Sequence, residues 1–173
     1  MVRDPTADVL HGTSVIDAVK AADISRILAV PDLHTSAGLL ARIADDPTLQ
    51  LIRVCKEDET IGISAGLSYG SIRSICLFQY TGFLFAMNAI RAVAVEQSMP
   101  ICMMIGLLGK EPGVAPIESS RFGVRIIEPI LDQLGIEHHL IESDTDVGAI
   151  QPAIEAAYRN HRPTALLIGR RPI

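Results

Sequence analysis

A carboxylate at Glu57 stands at the junction between a strand-like run, LQLIRVC (residues 49–55), and a segment that reads as a helix, KEDETIGISAGLSYG (56–70). In an open α/β sheet the carboxyl ends of the strands form the crevice where ligands bind. A carboxylate there is placed to give or take a proton on a bound molecule. Its neighbours Asp58 and Glu59 could instead serve the helix itself, as negative charges at the positive end of its dipole. The same segment carries Gly62, Gly66 and Gly70 at four-residue spacing, which lines them along one helical face. Each interior glycine costs a helix roughly 1 kcal/mol relative to alanine. A face of three therefore implies close approach, either by another helix, including one from a partner subunit, or by a flat ligand.

Further polar residues follow other apolar runs. RILAV (26–30) leads into PDLHTS (31–36), SICLFQ (74–79) into YTG (80–82), and PICMMIG (100–106) into LLGKEPGVAPIESS (107–120). Loops at the strand ends of a parallel sheet collect on one edge. Asp32, His34, Glu57, Gln79, Thr81 and Lys110 are thus candidates for one site despite their separation in sequence. Capping of the following helix accounts for Thr35 or Ser36. Gln79 closes an apolar strand and needs a polar partner. Lys110 and Glu111 lie in a Gly/Pro-rich loop that reads either as a lid or as a solvated turn. His138 and His139, beside Glu137, read as surface or structural residues, and His11 and His161 as solvated residues flanking helices.

The elements that must hold these groups alternate. HHLIE (138–142) and TALLIG (164–169) complete a set of six strand-like runs, and helical periodicity fills the intervals. Val15, Ile16 and Val19 share a face, as do Leu39, Leu40 and Ile43, and longer helical stretches cover 82–97, 122–134 and 146–160. The expected fold is a single three-layer α/β domain over residues 1–173, a mainly parallel six-stranded sheet covered by helices on both faces. The net charge is −5 with both signs interspersed, which gives no electrostatic footprint for nucleic acid. The sequence shows no signal-peptide pattern and no apolar run long enough to span a bilayer, so a soluble cytoplasmic protein is expected. Cys55, Cys76 and Cys102 form no CxxC pair and read as reduced, buried thiols. GxGxxG after the first strand, GxxxxGK[ST], GxSxG and HExxH are all missing, which removes support for the nucleotide-binding, hydrolase and zincin readings that rest on them.

Glu57, Gly66 nine positions later within GISAG, and FQYTGFLFAMNAI (78–90) together resemble the pyrimidine-binding domain of thiamine-diphosphate-dependent decarboxylases, in particular the sulfopyruvate and phosphonopyruvate decarboxylase branch. The resemblance runs from the first strand through TALLIG. It implies that Glu57 hydrogen-bonds N1′ of the cofactor's aminopyrimidine. A carboxylate there favours the 4′-imino tautomer, whose nitrogen can take the thiazolium C2 proton. It further implies that Gln79, Tyr80, Thr81 and Gly82 bind the cofactor and that the reaction is decarboxylation of a 2-oxo acid to carbon dioxide and an aldehyde. The same cofactor chemistry also supports carboligation, and a non-catalytic α/β interaction subunit is the rival from another class.

In this family the diphosphate is held through Mg²⁺ by a GDG motif and a downstream Asn, and no GDG occurs in this chain. The resemblance therefore implies a heteromer: an alpha subunit that binds the pyrimidine, with a separate beta subunit carrying GDG and holding Mg²⁺ and the diphosphate. Two departures bear on substrate. The turn commonly read as SGLGN is TGFLF here, with Phe85 in place of Asn, and the loop read as WRGEPG is LLGKEPG, with Leu108 in place of Arg. Lys110 or Arg121 could replace that cation, although a point charge does not reproduce a guanidinium fork. PDLHTS resembles the family's VPDS loop with Leu33 and His34 inserted. Asp32, His34 and Lys110 are the implied substrate contacts, with His34 able to orient a carboxylate or shuttle a proton.

Overall fold

Central strands buried on both faces need continuous apolar runs, whereas edge strands do not. The computed structural model, which describes residues 9–173, follows that rule. Its strands are β1 (Arg26–Ala29), β2 (Gln50–Arg53), β3 (Ser74–Gln79), β4 (Cys102–Gly106), β5 (Glu137–Ile141) and β6 (Thr164–Ile168). They form one sheet in the order β2-β1-β3-β4-β6-β5 with every pair parallel. β4 and β6 are buried throughout, while the edge strands β2 and β5 are partly exposed.

The helices are α1 (Gly12–Ala21), α2 (Ala41–Asp45), α3 (Glu57–Tyr69), α4 (Tyr80–Phe85), α5 (Met87–Ala89), α6 (Phe122–Arg125), α7 (Ile127–Gln133) and α8 (Ile150–Asn160). Alternate strand residues divide the core in two, as the two-residue period of a strand requires. Ile27, Ile75, Leu77, Met104 and Leu166 pack with Val15, Ile16 and Val19 of α1 and with Ile154 of α8. Leu28, Cys76, Phe78, Ile105 and Leu167 pack on the other face with Ile61 of α3, Phe83 of α4 and Leu131 of α7. This is the three-layer arrangement expected from the alternating sequence pattern.

Helix continuity differs from expectation. The 122–134 stretch splits at Ile126 into α6 and α7, and the 146–160 stretch opens with a 3-10 turn, Val147–Ala149, before α8. Pro129 and Pro152 supply the reason, since each lacks the N–H that would bond the carbonyl four residues earlier and its ring crowds that carbonyl. The 82–97 stretch starts earlier, at Tyr80, and ends in a π-helical turn, Ile90–Val95. A second π-helical turn, Ser36–Leu40, leads into α2. Its Gly38 lies against the backbones of Gly12 and Pro172, closer than any side chain would permit. Among the described residues no helix is long and apolar enough to cross a membrane.

Candidate functional site

From β1 the chain runs outward to the edge strand β2 and then returns to β3 on the other flank of β1. The connections leaving β1 and β3 diverge, and such a reversal opens a crevice at the carboxyl edge of the sheet. Glu57 is the first residue of α3, directly after β2. The helix start is held by Glu59, whose carboxylate accepts the N–H groups of Cys55 at 2.9 Å and Lys56 at 3.2 Å. Glu59 thus performs the capping work that sequence left open among the three acids, and Glu57 is free of it. Deeper in α3, Ser64 and Ser74 share a 2.8 Å hydrogen bond and Cys76 donates to the Thr60 carbonyl at 3.6 Å, which fixes α3 against β3.

The half-buried Glu57 side chain lies on bare backbone. A Cβ placed on Gly82 would stand 2.4 Å from its Cγ and 2.7 Å from Oε1. Only a glycine permits that approach. The Glu57 carboxylate has no ion-pair partner among the described residues. Gln79 precedes α4 and donates from Nε2 to Thr81 Oγ1 at 3.0 Å, giving the strand end its polar partner. In the first turn of α4, Phe83 points into the core, Thr81 is exposed and Gly82 faces Glu57. Tyr80 lies about 200° around the helix from Gly82. Its ring rests on Gly123 at the start of α6 instead, where an added Cβ would stand 2.4 Å from Cε2.

The other residues singled out from sequence occupy a corner built on β1, β4, β5 and β6. Asp32 accepts the N–H groups of His34 at 2.6 Å and Thr35 at 2.7 Å and the Thr35 hydroxyl at 2.6 Å, while its own N–H donates to Ser36 Oγ at 3.0 Å. The loop is therefore organised by Asp32, and Thr35 caps nothing with its side chain. His34 is buried, with Nε2 2.9 Å from the Ile168 carbonyl oxygen and the ring against Gly106. Burial pushes its pKa below the ordinary value, outweighing the Ile168 carbonyl and Asp32, which favour the charged form. Lys110 is buried rather than solvated. Its ammonium pairs with Glu142 and donates to the Glu111 carbonyl at 3.1 Å. The Glu111 carboxylate accepts from Ser119 Oγ at 2.7 Å and from the Ser120 hydroxyl and N–H, bonds that hold its pKa at about 2. The loop after β4 is fastened at both ends.

Three further groups were outside the sequence reading. Glu142 and Arg170 follow β5 and β6, so the strand-end rule applied to the last two strands points to both. Gly123 carries no such signal. Arg121 is exposed, and its Nε would lie 3.0 Å from a Cβ on Gly109. The thiol expectation is corrected at one position, since Cys76 and Cys102 are buried and unpaired but Cys55 is exposed in the bend between β2 and α3. The glycine face of α3 is also bare: nothing among the described residues lies within 4 Å of a Cβ on Gly62 or Gly66, so no described helix makes the close approach that their spacing implied. Among the described residues no three His, Cys, Asp or Glu side chains converge as metal ligands. A cleft of about 470 Å³ lined by Ser68, Arg73, Tyr158 and Arg159 opens on the opposite, amino edge of the sheet.

No family model matches the chain. It is 26% identical over 119 residues to the alpha subunit of sulfopyruvate decarboxylase from Methanococcus maripaludis, an alignment covering 68% of this chain and 71% of that one.

Proposed function

We propose that this chain is the pyrimidine-binding alpha subunit of a heteromeric thiamine-diphosphate-dependent 2-oxo acid decarboxylase, similar to sulfopyruvate decarboxylase. The observation that carries the reading is the Glu57 carboxylate, half-buried on bare Gly82 backbone beside the strand-order reversal and unpaired among the described residues. Such a group is ready to accept a hydrogen bond from a flat, nitrogen-bearing ring. The similarity to an alpha subunit of that name supports the same reading.

When bound, thiamine diphosphate supplies the electron sink that lets a 2-oxo acid lose carbon dioxide. Glu57 orients the aminopyrimidine and holds the proton at its N1′ position. Gly82 lets the ring and the carboxylate approach α4, and Gln79 and Thr81 present polar groups at the same turn. Of the two cations considered for the substrate's anionic end, Arg121 is exposed over Gly109 with no carboxylate partner among the described residues, whereas Lys110 is held by Glu142. Asp32 and His34 shape the loop after β1, whose N–H groups at Asp32, His34 and Thr35 are already donated within the chain.

A partner chain completes the site in this proposal. No GDG occurs in the sequence, and the donor set here suits a pyrimidine rather than a magnesium diphosphate, which needs several oxygen ligands. The bare face of Gly62 and Gly66 ends at Tyr69, 81% exposed, and Phe85 and Phe122 flank the α4 turn at 58% and 66% exposure. An apolar rim of that kind around an incomplete site suits a protein partner. Calorimetry with thiamine diphosphate and Mg²⁺, on this chain alone and then with a GDG-bearing partner, tests the proposal. Binding only in the mixture is the expected result; no binding in a mixture with a competent partner overturns it and favours the non-catalytic subunit.

A further inference from the structure

The first turn of α4 is gripped from two sides. Glu57 lies against it at Gly82, and on the opposite flank the Tyr80 ring lies against Gly123. Both contacts need a glycine, and in both the three atoms nearest to an added Cβ belong to a single side chain, with no backbone atom among them. This differs from Gly38, where an added Cβ meets the Pro172 carbonyl oxygen at 2.2 Å. Gly123 itself is delivered by the fastened segment after β4. Glu111 binds Ser119 and Ser120, Ser119 Oγ accepts the Arg121 N–H at 3.1 Å, and Arg125 donates to the Ser119 carbonyl at 2.7 Å.

Taking Glu57 as the cofactor-activating carboxylate proposed above, we propose that Gly123 is a positioning residue for it. By seating the Tyr80 ring, Gly123 sets the α4 turn at the height at which Gly82 receives Glu57. Gly123 therefore acts on the site through the Tyr80 ring, without itself contributing a group to the chemistry. An added methyl at 123 overlaps the ring, and a ring at 2.4 Å has to move by about an ångström to reach ordinary contact distance. The backbone of α6 has no such obstacle, and alanine is the better helix former. Gly123→Ala should therefore fold and still disturb the site.

The test uses the full chain and its reconstituted complex. The sequence has three tyrosines, Tyr69, Tyr80 and Tyr158, so ring-labelled tyrosine gives a spectrum simple enough to read, with Tyr80 assigned through Tyr80→Phe. In Gly123→Ala the Tyr80 signal should move while those of Tyr69 and Tyr158 stay. Thiamine diphosphate affinity of the complex should weaken roughly tenfold, as displaced aromatic contacts of this size do, with the thermal midpoint unchanged or raised. Tyr80→Leu combined with Gly123→Ala should bind the cofactor better than Gly123→Ala alone, a rescue that a merely structural glycine would not show. An unmoved Tyr80 signal overturns the proposal, as does failure of the double variant to fold where Gly123→Ala also fails. A moved signal with unchanged cofactor affinity overturns the positioning role but leaves the cofactor reading intact. Absence of cofactor binding in the wild-type complex is the separate failure of the function itself.

Discussion

The two halves of the carboxyl edge use the same residue types to opposite ends. In the corner of Asp32, His34, Lys110 and Glu142, nearly every charged or polar atom is answered within the chain: three donors on Asp32, a carbonyl on His34 and a carboxylate on Lys110. On the ledge of Glu57, Thr81 and Gly82, the carboxylate meets only the surface of a helical turn. A buried polar group that finds its partners rigidifies a fold. One left without a partner at a crevice is available to a ligand. Occupancy of hydrogen-bonding capacity, rather than residue type or position at a strand end, separates the two halves.

The largest effect should come from the ledge. Glu57→Gln is expected to lower turnover of the assembled complex by roughly 10²- to 10⁴-fold, the range of general acid–base contributions, with unfolding by urea unchanged. Gly82→Ala should act in the same direction by displacing that carboxylate, to about 10²-fold. Turnover equal to wild type in Glu57→Gln would remove the distinction between the halves.

In the corner the same kind of change should strike stability instead. Glu142→Gln strands the fully buried Lys110 ammonium and should cost about 3–5 kcal/mol in urea unfolding. Lys110→Met should cost less, because the Glu142 side chain keeps 24% of its surface in water and can rehydrate. Asp32→Ala removes the loop's organising acceptor and should cost about 1 kcal/mol, the usual scale for a lost cap. A loss of turnover in these variants greater than their loss of folded protein would move the corner into the site.

The smallest effect is a pH dependence. His34 has a folded pKa below its unfolded value of 6.5, so between the two the unfolded chain binds more protons. Its contribution to stability is complete above pH 6.5 and is lost as pH falls from there through the folded pKa. Glu111 adds a second acid step, beginning near its ordinary 4.5 and ending near 2. The thermal midpoint should therefore begin to fall below pH 6.5, and His34→Gln, which keeps a donor for the Ile168 carbonyl, should flatten that first step. A first step that persists in His34→Gln would assign it elsewhere.

Much of this is legible in the sequence alone. The six strands lie where the apolar runs placed them, because burial on both faces leaves an unmistakable continuous pattern in β4 and β6. Glu57 was legible as the residue following the second strand, and the helix starts and proline breaks follow local chain chemistry over three or four residues. What sequence could not show involved partners far along the chain. Lys110 read as a residue of a lid or a solvated turn, but it is buried against a partner 32 residues away in Glu142; His34 was legible as a strand-end residue, but not its contact with the Ile168 carbonyl 134 residues away.

The amino-acid sequence by itself determined the elements, their alternation and the candidate carboxylate, since periodicity and turn chemistry act between near neighbours. Only the tertiary structure decided which polar groups were left free, which glycines receive a side chain, and that Gly123 supports the turn beneath Glu57. Those outcomes depend on strand order and register, which bring together loops that no local pattern connects.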